Sequence, residues 1–169
     1  MFKLSQSPNK FRIFGASPLE SFYANPALSN TGNATNYELG LRFSPIVNGL
    51  ILGIKYWKAP NENIVHVGRV WSDTGTLLTS VTFVNETASG WQKQYLVTPF
   101  AVVANTFYRV SVNCLNGYAH TTQGFASSLT VGNLFAPVNA GCFVNGAGNF
   151  PNQTFNNNNY YRDLIFIAS

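Results

Sequence analysis

A chain of 169 residues with 46% hydrophobic and 15% aromatic side chains is long and apolar enough to bury a core as one domain, which excludes a disordered segment. Charged residues make up only 9%, against roughly 25% in an average domain, which disfavours surface helices built on charged i,i+4 pairs. The net charge of +4 comes from ten scattered Lys and Arg against six acids. Without a basic run it argues against nucleic-acid binding, and no stretch reaches the roughly 18 continuous apolar residues of a membrane span.

The first residues, "MFKLSQSPNKFRIF", lack the long apolar core and the cleavage site of a signal peptide. The expectation is a module of a larger exported protein, extracellular or at the cell surface. Residues 1–20 read as an arm or linker, followed by a single domain over 21–169. Along that domain, short apolar alternations recur every eight to fifteen residues between turn clusters, which reads as all-β.

Residues 38–43, "ELGLRF", place Leu39, Leu41 and Phe43 on one face. Residues 50–57, "LILGIKYW", are apolar on both faces, as in a central strand. Residues 64–71, "IVHVGRVW", set Val65, Val67 and Trp71 against His66 and Gly68. The turn "SDTGT" carries Asp73 and Gly75, residue types that tight turns require. Strands follow at 77–84, 94–98 and 106–113, with Pro99 as a break. From 116 to 159 the chain is rich in Gly, Asn and Pro, with one short strand near 142–144. The last strand is 160–167, "YYRDLIFI". About nine strands without helices predict an antiparallel β-sandwich, jelly-roll-like.

Catalysis finds little support. The acids are Glu20, Glu38, Glu62, Asp73, Glu86 and Asp163, and none forms a recognisable pair or motif. Glu38 and Asp163 meet only if the first and last strands pair, and an ion pair with Arg42 or Arg162 is the expected use of either. No cofactor is expected. A calcium ion would have Asp73 or Asp163 with nearby amide and carbonyl oxygens. Cys114 and Cys142 are either a disulfide, worth about 3.6 kcal/mol in the chain-entropy estimate, or two separate buried thiols.

The stretch 155–163, "FNNNNYYRD", poses the main question. Asn tolerates left-handed backbone, so the run reads as a tight turn before a strand. The two tyrosines should point to opposite faces, one inward and one outward. With 116–123, "NGYAHTTQ", and 145–153, "NGAGNFPNQ", it makes three loops rich in amides, hydroxyls and aromatics. That chemistry suits neutral sugars. The candidate ligand-binding residues are Asn157, Asn158, Tyr160, Tyr161, Tyr118 and His120. Trp57, at a strand end beside Lys58, joins them as a stacking platform, whereas Trp71 and Trp91 read as packing.

The blocks "ELGLRFSPIVNGLILGIKYWKAP", "GRVWSDTGTLLTSVTFVNETASGWQ", "TPFAVVANTFYRVSV" and "FPNQTFNNNNYYRDLIFI", in that order over roughly residues 20–168, resemble a bacterial β-sandwich family catalogued as a domain of unknown function. The resemblance implies a jelly-roll-like fold in secreted and cell-surface proteins, beside cadherin-like or immunoglobulin-like modules, with adhesion or carbohydrate binding as the role. It brings no catalytic residues. Where that family reads Asn-Gly-His-Tyr, this chain reads Asn116-Gly117-Tyr118-Ala119-His120, so a role attached to the family's His does not transfer.

Two functions are therefore expected. One is a non-catalytic module that binds a surface glycan as part of an adhesin. The other is a structural or fibre-tip domain assembling with copies of itself, a trimer for instance, through the apolar arm "FRIF" at 11–14.

Overall fold

A computed structural model describes residues 17–24, 30–32 and 36–169, the side chains of 30–32 excepted. The arm segment "FRIF" lies outside the described residues. Twelve strands and no helix are found among those described. In chain order they are β1 (Asn30–Gly32), β2 (Tyr37–Pro45), β3 (Gly49–Lys58), β4 (Val67–Ser72), β5 (Leu77–Thr82), β6 (Gly90–Val102), β7 (Tyr108–Cys114), β8 (Tyr118–His120), β9 (Leu129–Val131), β10 (Leu134–Ala136), β11 (Gly141–Asn145) and β12 (Arg162–Ala168).

The expected antiparallel β-sandwich is present. One sheet runs β5-β4-β7-β2-β10-β9, with β11 also paired to β2, and the facing sheet runs β12-β3-β6. β1 and β8 form a separate short ladder. The alternation of β2 drives Leu41 and Phe43 between the sheets. There they meet Val110 and Val112 of β7, Ile54 and Tyr56 of β3, and Leu164 and Phe166 of β12. Residues 20–23 dock beside the last strand, where Glu20 and Phe166 exchange backbone hydrogen bonds of 2.8 and 2.9 Å.

The polar side of β2 is covered too. Glu38 is fully buried. It accepts from Arg69 Nη1 at 2.9 Å, from Ser111 Oγ at 2.6 Å and from the Gly148 amide at 2.8 Å. Burial raises its pKa, against the pull of those donors. Arg42 holds Asp73 in a bidentate pair at 2.8 and 2.7 Å, and with Arg109 it keeps that carboxyl below its usual range. The partners expected from sequence are corrected accordingly: Glu38 takes Arg69 rather than Arg42 or Arg162, and Asp163 takes Lys55 at 3.3 Å. β2 pairs β7, β10 and β11, and β12 pairs β3, so the strands holding Glu38 and Asp163 are not neighbours.

Three further expectations change. In 64–71 the alternation is inverted: His66, Gly68 and Val70 face inward while Val65 is 70% exposed. Both sets of residues are partly apolar, and hydrogen bonds from His66 and Tyr56 to Glu86 draw the imidazole inside. Pro99 does not end a strand. β6 continues through it, with residues 96–99 unpaired between the pairs Gly53–Tyr95 and Ile51–Phe100: Leu96 turns into the core while 97–99 are exposed, an irregularity that an edge strand tolerates. Finally, Cys114 and Cys142 are separate buried thiols. Cys114 lies opposite Tyr37 and Cys142 opposite Gly40, three positions apart along β2, so their side chains leave the sheet on opposite faces. Burial pushes both thiols up to about 12.

Candidate functional site

The segment 155–161 forms a ridge between two depressions. Asn156 and Asn157 adopt left-handed φ of 49° and 48°, as Asn does at low cost. Their carbonyls accept from the Gln123 and Phe125 amides at 3.1 and 2.7 Å. Thr121 and Asn159 exchange two backbone hydrogen bonds of 2.9 and 3.0 Å. The ridge passes so close over Gly141 that a Cβ there would meet the Asn158 carbonyl at 1.8 Å.

Tyr161 is also left-handed, at φ 52°, which is uncommon for a bulky side chain. Its amide donates to Asn159 Oδ1 at 2.9 Å. This backbone reversal turns both tyrosines inward on opposite flanks of the ridge, and both are buried. The expected outward-pointing tyrosine is absent for that reason. Replacing Asn156 or Asn157 by Ala should cost about 1–2 kcal/mol each through left-handed strain, whereas Gly at either position should be nearly neutral. Urea unfolding of the four variants checks this.

On one flank Tyr160 closes a small cleft with Tyr37, Leu39, Tyr118, Phe143 and Phe155, about 230 Å³ in volume. Strand pairing builds most of it. Phe143 lies opposite Leu39, and Cys114 opposite Tyr37, so Tyr37, Leu39 and Phe143 share one face of the sheet. Four rings make a closed circuit of steeply inclined, edge-on contacts. Centroid separations are 6.3 Å for Tyr37–Tyr118, 5.9 Å for Tyr118–Tyr160, 6.5 Å for Tyr160–Phe143 and 5.8 Å for Phe143–Tyr37. Leu39 is buried, and Phe155, 58% exposed, stands at the rim.

No lining residue is charged. Burial pushes the Tyr160 hydroxyl up to about 12, moderated by the Asn158 side chain, and it raises Tyr118 as well. Both remain protonated donors at neutral pH. His120 packs against Tyr118 at 5.4 Å, and burial lowers its pKa, favouring the neutral imidazole.

On the other flank Tyr161 lies edge-on to Tyr23 at 5.5 Å and shares a 2.5 Å hydrogen bond with Thr121. Together with Gln123, Ser127 and Asn159 they line a wider depression of about 530 Å³. Asn157 donates to Gln123 Oε1 at 3.0 Å along its edge.

A family model for a domain of unknown function, DUF4082, matches residues 23–162. The chain belongs to the DUF4082 family. No curated protein matches it. All six cleft residues of this DUF4082 domain fall within the matched span.

Of the residues singled out from sequence, the domain brings Tyr118 and Tyr160 into the cleft, with His120 and Asn158 beside them. It turns Tyr161 and Asn157 toward the other flank. Trp57 is elsewhere, edge-on to Trp91 at 5.7 Å across the β3–β6 pair. Of the three loops expected to converge, 116–123 and 155–161 do. The third folds back, placing Gly148 on Glu38 and Phe150 against Trp71. Tyr37, Leu39, Phe143 and Phe155 were missed. The shared parity of Tyr37 with Leu39 was the available signal for the first of them.

The acids serve the scaffold. His66 lies between Glu86 at 2.9 Å and Glu62 at 3.5 Å, inside the core and away from the depressions described above. The two carboxylates considered for calcium are taken up: Asp73 by Arg42 and Arg109, Asp163 by Lys55 and three backbone amides. Among the described residues there is no group of three or more His, Cys, Asp or Glu placed to hold a metal, and no helix is long and apolar enough to cross a membrane.

Proposed function

We propose that this DUF4082 domain is a non-catalytic recognition module that binds a carbohydrate in the aromatic cleft, as part of an adhesin or another exported bacterial protein. The observation that carries this reading is the closed circuit of Tyr37, Tyr118, Tyr160 and Phe143 around an uncharged cleft. Aromatic faces meet the C–H faces of a sugar ring, and tyrosine hydroxyls serve as both donors and acceptors toward its hydroxyls. Small concave sites with a few polar groups among apolar ones are the usual form of ligand pockets. The test is binding of the purified chain to a broad glycan array, with and without calcium. Reproducible capture of one sugar class supports the reading, and silence from a folded sample under both conditions refutes it.

A second reading, assembly with copies of the same chain, is favoured by exposed apolar side chains on edge strand β6. Val97 there is 99% exposed, beside half-exposed Tyr95. Exposed apolar patches mark protein–protein contact sites. Sedimentation equilibrium separates the cases: a trimer or other oligomer that Val97→Lys dissociates supports assembly, and a monomer at all concentrations removes it.

A further inference from the structure

The cleft is selective about what can enter it. Its volume of about 230 Å³ is below the roughly 300–1,000 Å³ of pockets that hold drug-sized ligands. It therefore suits one sugar residue, or part of one, rather than a stretch of polysaccharide. Leu39, Phe143 and Phe155 present no hydrogen-bonding atom on their side chains. A sugar hydroxyl thrust against them would lose its water without gaining a partner. The inserted end must be apolar, while the hydroxyls of Tyr37, Tyr118 and Tyr160 remain for the polar remainder of the residue.

Charge narrows the choice further. A ring of aromatic walls also suits a quaternary ammonium group. Here, however, the guanidinium of Arg162 is buried directly behind the Tyr160 backbone and donates to the Tyr160 carbonyl at 2.8 Å. That positive charge behind the rings opposes a cationic ligand, and no charged side chain lines the cleft to receive an anionic one.

Resting on the carbohydrate reading above, we infer that the group held in the cleft is a methyl group carried by an uncharged sugar residue at a chain end. Two sources share this chemistry: the acetamido methyl of an N-acetylhexosamine and the C6 methyl of a 6-deoxyhexose.

Saturation-transfer NMR and titration with matched pairs test it. N-acetyl-D-glucosamine is set against N-formyl-D-glucosamine, which lacks only the methyl carbon, and L-fucose against L-galactose, which carries a hydroxyl on that carbon. The methyl-bearing member of at least one pair should bind more tightly than its partner by roughly tenfold or more, the size of effect that a missing apolar carbon or an added hydroxyl has in a hydrophobic pocket. Its methyl protons should receive the strongest saturation. Which pair discriminates identifies the source. Phe155→Ala, at the exposed rim, should remove the preference while leaving the fold intact by circular dichroism. Equal affinity within both pairs, or saturation centred on ring protons, would overturn this inference and leave the carbohydrate reading standing. Absence of binding to every sugar here and on the array would remove both.

Discussion

Replacing Asp163 by Ala is expected to destabilise the domain by about 3–5 kcal/mol, the usual loss when one member of a buried ion pair is deleted. The melting temperature should then fall by roughly 6–20 °C. The carboxylate is fully buried, and Lys55, its direct partner across the β12–β3 pair, stands 3.3 Å away. Oδ1 accepts from the Phe22 and Leu164 amides at 3.1 and 2.7 Å, and Oδ2 accepts from the Tyr23 amide at 3.0 Å. Burial raises the acid's pKa, and Lys55 with these amides opposes that rise. Deletion leaves three N–H groups and an ammonium without their acceptor. Lys55 keeps the Tyr23 carbonyl, Ser21 Oγ at 2.8 Å and the face of Trp91, so part of its charge stays compensated. The double variant Lys55→Met with Asp163→Ala should recover the share due to the uncompensated lysine and keep the share due to the orphaned amides. Urea unfolding of the two single variants and the double variant measures both. A loss below about 1 kcal/mol for Asp163→Ala would contradict this account.

Tyr118→Ala should weaken ligand binding roughly thirtyfold or more, the effect of removing a central aromatic anchor. The half-buried Tyr118 ring touches Tyr37, Tyr160 and His120, so its loss opens the circuit on one side and leaves Tyr37, Phe143 and Tyr160 as an open chain. The instructive comparison is Trp57→Ala. Trp57 packs on Trp91 away from the cleft, so that variant should lose stability through lost packing and keep full affinity. Titration of both variants with the best sugar from the array, beside thermal melts, separates the two effects. Equal loss of affinity in both would move the site to the β3–β6 face.

The contrast between Trp57 and Tyr118 shows what was legible. The composition of "NGYAHTTQ" and "FNNNNYYRD" pointed to Tyr118 and Tyr160 because amide- and tyrosine-rich loops are chemically unusual wherever they lie. Phe143 and Tyr37 joined them only through the pairing of β11 with β2, two strands about a hundred residues apart, which no local pattern encodes. The β2 alternation was readable because its polar side carries Glu38 and Arg42. In 64–71 both faces were plausible, and the inward turn of His66 depended on Glu86. The cysteines depended on register: a parity difference along β2 decided against the bond. Tyr161 broke the period-2 rule through a backbone conformation that its side chain does not advertise.

The antiparallel match of Glu20 with Phe166 has a mechanical consequence. Residues 17–20 and Ser169 lie at the same end of the sandwich, where the Ser169 amide also reaches the Asn48 carbonyl. The cleft lies at the other end, where β12 begins, separated by that strand's seven residues, or roughly 20 Å. A polypeptide leash attached at Ser169 would leave from the pole opposite the aromatic rings. Tension applied between residue 17 and Ser169 would peel the Glu20–Phe166 bridge open one bond at a time, rather than shear both bonds at once. The domain would hang on its leash like a lamp on a cord, with the cleft facing outward and little load crossing the core.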